Sequence, residues 1–294
     1  MRYLIFMLFS SVTSGQPLLW LYPDEPPQSY RLQQQPAGYT FAILELLLQP
    51  LQQYQHQTIS TGNYARLFKE LEKDQPACAL GIIYTPERAQ TLLFSQSPVF
   101  LFFNVQVVMH NSLYQQLHKP QKIALTELLR QRYKIGISAG RRYTAELEHL
   151  LHPYRDQQLL QLAQGNVHSS LLQLVNLERL DYTLEYPEML FYIRQQQPEL
   201  VANLVSIPIK ETDALGVSWL ACNDTVLTRE IMPLLNQQLA RIRSRPAYYH
   251  ALAQWQLPQQ LPLFEQWQLP QQLPLFEQYY QQVFLKTGLY DHAD

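Results

Sequence analysis

The feature that most constrains this chain is an alternation of short apolar runs with amphipathic stretches that stops near residue 100 and then begins again. Residues 18–22 read as a buried strand, ended by the proline-rich stretch 23–27 because proline cannot continue a central ladder. After Gly38, residues 39–51 form an apolar run that suits a buried helix, and 58–60 suit a second short strand. Residues 63–73 place Tyr64, Leu67, Phe68 and Leu71 at helical spacing, 77–84 read as a strand, and Thr85 opens a helix. That order, β-α-β-α-β-α, predicts a mostly parallel sheet. Residues 99–109 suit a strand or a crossover. Helices are then expected at 125–132, 143–151, 169–180 and 188–196, and strands at 133–138, 158–162, 181–185 and 204–209. Residues 217–221 re-enter as a strand, and 228–243 close with an amphipathic helix. With 294 residues, 47% of them hydrophobic, the chain has material for two small cores rather than one.

Charge narrows the partners. Lys and Arg total 22 against 24 for Asp and Glu, a formal −2, so no basic surplus exists to neutralise a phosphate backbone, and nucleic acid is not expected as a partner. Nine glycines leave little for a glycine-built phosphate cradle. At the N-terminus, Arg2 followed by the apolar run 3–9 and the small-residue stretch 10–15 reads as an export signal over residues 1–15, the alternative being a buried first helix or strand. The apolar run falls short of the ~20 residues needed to span a bilayer. The chain is therefore expected to be exported, with no membrane segment of its own.

Two cysteines, Cys78 and Cys222, would in an oxidising compartment either bridge or remain as two buried thiols. A bridge would close a loop worth roughly 4–5 kcal/mol in chain-entropy terms. Residues 254–265 (QWQLPQQLPLFE) recur unchanged at 266–277. A single duplication does not make a solenoid, and two prolines in each copy rule out a continuous helix. Its expected place is a surface-packed C-terminal segment, with a partner-binding tandem motif as the alternative.

The stretch 80–98 (LGIIYTPERAQTLLFSQSP) resembles the bacterial extracellular solute-binding proteins of family 3, the periplasmic amino-acid-binding type. The likeness rests on Thr85 to Arg88, a Thr-x-x-Arg opening a helix after a strand, and on Phe94 to Pro98. It extends more thinly to Pro26-Pro27, the Gly38-Tyr39 helix entry, residues 134–140 and Arg179 to Asp181. It looks closest to a branch with one Cys before this segment and another in the return strand, which implies that Cys78 and Cys222 are bridged. The resemblance implies a two-lobed α/β periplasmic-binding-protein fold of type II, each lobe a mostly parallel sheet flanked by helices, with two crossovers. Lobe one is then expected at 16–105 and 208–294, and lobe two at 106–207.

Thr85, Pro86 and Glu87 are fully explained as a helix start: N-cap, first-turn proline and first-turn anion. Arg88 is not, because a cation in the first turn opposes the helix dipole while its planar fork suits a carboxylate. The resemblance gives Arg88 that role and places Thr85 beside it. Ser138, Gly140 and Arg141 lie between a strand and a helix, where backbone N–H groups hold anions; an ordinary turn is the alternative. Glu185 ends a strand where amino-acid binders place an acid for the ligand's ammonium, although by count Tyr186 stands at that position. Ile82 and Ile83 are apolar where those proteins are polar, a second departure from an α-amino-acid site. Tyr22 and Glu25 are candidates to line the cleft near the first strand; Tyr39 suits core packing better.

The implied function is capture of a small anionic or zwitterionic, amino-acid-like ligand by closure of two lobes. No catalysis, cofactor or metal is expected. The protein is expected to act as a monomer, any membrane permease or receptor being a separate chain. His149 and His152 are three apart on a helix but lack a third ligand of matching spacing. Two alternatives remain: a dehydratase-like periplasmic enzyme using Glu25 and Glu185 as acid and base, and a ligand-sensing module for a membrane receptor.

Overall fold

The computed structural model describes residues 16–139, 141–154, 159–162, 167–255 and 278–284. The proposed export signal (1–15), Gly140 and all but the first two residues of the duplication lie outside them.

The first half opens with β1 (Leu18–Pro23), a hairpin of β2 (Tyr30–Leu32) and β3 (Gln35–Ala37), and α1 (Tyr39–Leu48). There follow β4 (His56–Gly62), α2 (Tyr64–Leu71), β5 (Ala77–Ile82), α3 (Pro86–Ala89), β6 (Leu92–Phe94) and β7 (Phe100–Phe103). The second unit holds β8 (Gln106–His110), α4 (Asn111–Gln116), α5 (Leu125–Arg130), β9 (Ile135–Ser138), α6 (Ala145–Leu151), β10 (Leu159–Leu162), α7 (Val167–Asn176), β11 (Tyr182–Glu185), α8 (Pro187–Gln196), α9 (Pro198–Val201) and β12 (Leu204–Pro208). The chain returns through β13 (Leu215–Asn223), α10 (Val226–Ile242) and α11 (Pro246–Ala253), and a π-helical turn covers Tyr280–Phe284.

One sheet runs β4-β1-β5-β13-β6, with β7 also on β13; the other runs β10-β9-β11-β8-β12. Each sheet has three successive parallel strands, as the alternation requires. Beyond them the strand that enters each lobe runs antiparallel to its neighbours: β13 to β5, β6 and β7, and β8 to β11 and β12. The chain passes from β7 to β8 through Asn104 and Val105, and comes back between Pro208 and Leu215. Asn104 ties the passages together, its N–H donating to Ala214 O and its side-chain amide to Asp213 O (3.0 and 2.8 Å).

Strand alternation sorts β1 between two cores. Leu18 and Trp20 join the cluster under α1, α10 and α11, while Leu19 and Leu21 face α2 with Leu67 and Leu71. The second sheet is likewise covered on both faces, by α5 and α6 on one and by α7 to α9 on the other. Local chemistry fixes the helix starts. Thr85 Oγ1 accepts the N–H of Arg88 with Pro86 behind it, and Thr225 and Thr228 exchange bonds in a capping box. Gly38, at φ 110°, is needed for a second reason: a Cβ there would lie 2.4 Å from Gln28 O.

Cys78 on β5 and Cys222 on β13 stand opposite each other in the ladder, fully buried, and are joined as a disulfide. The bridge pins the return strand to the strand it joins across a separation of 144 residues. Replacing both by Ala should lower the unfolding free energy by roughly 4–5 kcal/mol, most of it loop-closure entropy restored to the unfolded chain. Urea denaturation of oxidised protein and variant measures this; equal midpoints would refute it.

Candidate functional site

The carboxyl ends of β1, β9 and β11 and the first turn of α7 bring four ionisable side chains into one buried cluster. Arg141, after β9, donates from Nη1 to Glu185 Oε1 at 2.9 Å and from Nη2 to Glu25 Oε2 at 3.0 Å. His168, on the first turn of α7, places Nδ1 2.6 Å from Glu185 Oε2 and Nε2 3.3 Å from Glu25 Oε1. The second distance is an ion-pair separation without hydrogen-bond alignment. The Arg141 guanidinium lies over the Tyr186 ring, 4.6 Å from its centroid. Side-chain exposure is 3% for Arg141, 1% for Glu185, 7% for His168 and 11% for Glu25, so the group is nearly dry. Glu25 comes from the first sheet and the other three from the second, so the cluster spans the two sheets. Tyr39 OH on α1 crosses the same boundary, donating to Glu188 Oε1 on α8 at 2.9 Å.

Electrostatics follow from that geometry. Burial opposes the charge on Glu185, but Arg141 and His168 outweigh it and pull the carboxyl down to about 2. Burial likewise disfavours imidazolium, yet Glu185 and Glu25 raise His168 to about 10. Glu25 is also lowered, burial being overcome by Arg141 and His168. The cluster is therefore two cations and two anions at neutral pH.

Two cavities meet at this cluster. The larger, about 770 Å³, lies between the sheets, with Asp24, Tyr30 and Asn63 on one side and Ser138, Ser169 and Gln173 on the other. The smaller, about 40 Å³, is lined by Arg88, Tyr64, Gly81 and Ser218 of the first unit and by Arg142, Tyr186 and Glu188 of the second. Glu25 and Arg141 belong to both linings, so their ion pair stands between the two spaces. Arg88 lies over the Phe68 ring at 4.1 Å and donates Nη1 to Ile83 O at 2.8 Å. Among the described residues no acid pairs with it, and Nε and Nη2 make no hydrogen bond.

The sequence candidates therefore divide. Arg88, Glu25 and Arg141 meet at the small cavity, and Ser138 lines the large one. Glu185 lines neither, its carboxylate being bound to Arg141, His168 and the N–H of Tyr186. Thr85 is a helix cap, and Tyr22 packs edge-on against Phe41 (4.9 Å), away from both cavities. The turn after β9 differs from expectation. α6 begins only at Ala145, and the N–H groups of Ala139 and Arg141 are taken by Leu162 O and Ser138 O. The Arg141 side chain, not a helix end, carries the positive charge here. His168 gave no spacing signal in the sequence; its one clue was a place just after a strand, where the other site residues lie.

Residues 136–140 spell Gly-Ile-Ser-Ala-Gly, the Gly-x-Ser-x-Gly pattern of serine hydrolases. Ser138 is nonetheless in the ladder, in register with Leu162, without the positive φ of a strained turn. Among the described residues no hydrogen bond joins it to His168, whose ring nitrogens face Glu185 and Glu25. No group of three His, Cys, Asp or Glu suited to a metal occurs among the described residues, and no helix of theirs is long and apolar enough to cross a membrane.

The architecture is the two-lobed periplasmic-binding-protein fold expected from the family 3 resemblance. A histidine kinase sensor domain with similarity to periplasmic binding proteins matches with a TM-score of 0.61 at 18% identity, covering 82% of this chain and 95% of that one. An ancestral arginine-binding protein bound to glutamine matches at 0.60 and 14%, covering 82% and 97%, and a putative L-cystine ABC transporter protein from Listeria monocytogenes at 0.63 and 12%, covering 82% and 96%. No protein-family model and no curated protein matches the sequence. At these identities the likeness establishes the fold.

The cluster predicts a pH dependence. His168 is raised above its ordinary 6.5, so its contribution is complete below pH 6.5 and lost as pH rises through about 10. Glu185 is lowered from 4.5, so its contribution is complete above pH 4.5 and lost as pH falls through about 2. Stability from this cluster should be greatest between those limits, pH 4.5 and 6.5. Melting curves from pH 6 to 10 should fall for the wild type and flatten for His168→Gln; parallel curves would refute the assignment.

Proposed function

We propose that this chain is an exported solute-binding protein that captures a small anionic or zwitterionic ligand between its lobes and closes over it. The observation that carries this reading is Arg88: a guanidinium with two unused donor groups in a crevice lined from both sheets. A charge-assisted fork of this kind suits a carboxylate. The crevice also lies beyond the carboxyl ends of strands, where open α/β sheets bind ligands. Lobe one is taken as 16–105 with 208–294, and lobe two as 106–207, with hinges where Asn104 meets Asp213 and Ala214. A ligand touching both lobes would then favour the closed arrangement.

Among the similar structures are binding proteins of amino-acid importers and a kinase sensor domain. Delivery to a separate permease and presentation to a separate receptor are the two uses consistent with those likenesses. A dehydratase-like enzyme is less well supported. The pair named for it, Glu25 and Glu185, are both held as carboxylates by Arg141 and His168, so neither has a proton to give as the acid.

Native mass spectrometry of the exported protein should show a retained small ligand, and its mass would name the class. Arg88→Met should weaken that ligand roughly 10- to 150-fold, the loss of about 1.5–3 kcal/mol for charge-assisted hydrogen bonds. Unchanged affinity in Arg88→Met would remove the basis of the proposal, and turnover of the ligand would favour the enzyme instead.

A further inference from the structure

The charges around the two cavities are unequally used, and the inequality bears on which ligand fits. Each buried carboxylate of the cluster already has its cation: Glu185 holds Arg141 and His168, and Glu25 faces the same pair. Glu188 accepts from Tyr39. Arg142 is paired with Glu148 at 3.0 Å. Arg88 is left as a cation with no carboxylate among the described residues. The acids that remain at the larger cavity, Asp24 and Glu199, reach solvent, where an ion pair is worth little, although partial burial raises the Asp24 carboxyl.

An ammonium entering this crevice would lose water and find the buried carboxylates among the described residues already engaged, Glu25 and Glu185 by cations and Glu188 by the Tyr39 hydroxyl, a costly exchange. A carboxylate would meet two unused donor groups of Arg88. We infer that Arg141 serves as a built-in cation that takes the place of a ligand's ammonium, so that the site selects small carboxylates without an amino group over the corresponding amino acids. This rests on the reading of the crevice as a ligand site and adds to it the chemical class. The space beside Arg88, about 40 Å³, has room for two or three waters. That suits a carboxylate head whose remainder extends past the Glu25–Arg141 pair into the larger cavity.

Matched pairs test this on the mature protein by calorimetry: succinate against aspartate, glutarate against glutamate, propionate against alanine, with inorganic sulfate and phosphate alongside. The des-amino member of at least one pair should bind 10-fold or more tighter than its amino acid. Equal or tighter binding of the amino acids overturns the inference while leaving the ligand site intact, and so does binding of sulfate or phosphate without carboxylates. Binding of nothing in the panel overturns the ligand-site reading and the inference together. In Arg141→Met the released carboxylates should accept an ammonium and the preference should move at least 10-fold toward the amino acid, whereas Arg141→Lys should keep the wild-type order. A folded Arg141→Met with the wild-type preference denies Arg141 this role, and if that variant does not fold the wild-type order decides.

Discussion

Four charges buried together cannot be explained one at a time. An isolated carboxylate or guanidinium taken out of water costs several kcal/mol, and only close pairing with aligned hydrogen bonds recovers it. Glu185 is 1% exposed and tolerable there because Arg141 and His168 both reach it; Arg141 is tolerable because it bridges Glu185 and Glu25. Since Glu25 comes from the first sheet and its partners from the second, the burial of the cluster and the apposition of the sheets are a single condition. Without Glu25, the second sheet retains two cations against one anion, a net positive group facing water. Aromatic packing at the same boundary, Tyr30 on Tyr192 and Phe102 on Tyr186, adds apolar contact to the ionic one.

That condition is set up by topology. Parallel strands deliver their carboxyl ends to one edge, and the antiparallel entry of β8 and β13 lets the chain change sheets over a few residues at Asn104 and again near Asp213. The disulfide sits in the first sheet between β5 and the strand that returns last, so the discontinuous half is covalently closed before the boundary is reached. Tyr186 packs against the hydrophobic clusters of both units while its ring carries Arg141, which joins the cores to the charged site.

The fold was largely legible because its signals are local. The Thr-Pro-Glu start of α3, the helical spacing around Leu67 and Leu71, and the apolar strands of both units depend on neighbours in sequence. The hairpin β2–β3 was not legible, since its turn uses Gln33 and Gln34 at positive φ rather than glycine or asparagine. The antiparallel entry strands were missed for a different reason: an apolar run such as β8 reads the same in either direction. The site was only half legible. Arg88 stood out because capping chemistry could not account for it, whereas the role of Arg141 depends on Glu25, 116 residues away. His168 carries no spacing pattern, and its meaning comes from the two carboxylates that the fold places beside it.

The pairing of Glu25 with Arg141 also bears on how a crevice of this kind can discriminate. Both residues line the small cavity and the large one, so any molecule longer than its charged head must pass or displace their contact. An occupant that offers a second cation gains nothing from Glu25, which is already neutralised, and must still give up its own hydration. An occupant that offers only an anion meets Arg88 and leaves the cluster whole. On the proposed reading of the crevice, the same ion pair that makes the cluster tolerable to bury also sets the sign of the charge that can be added beside it.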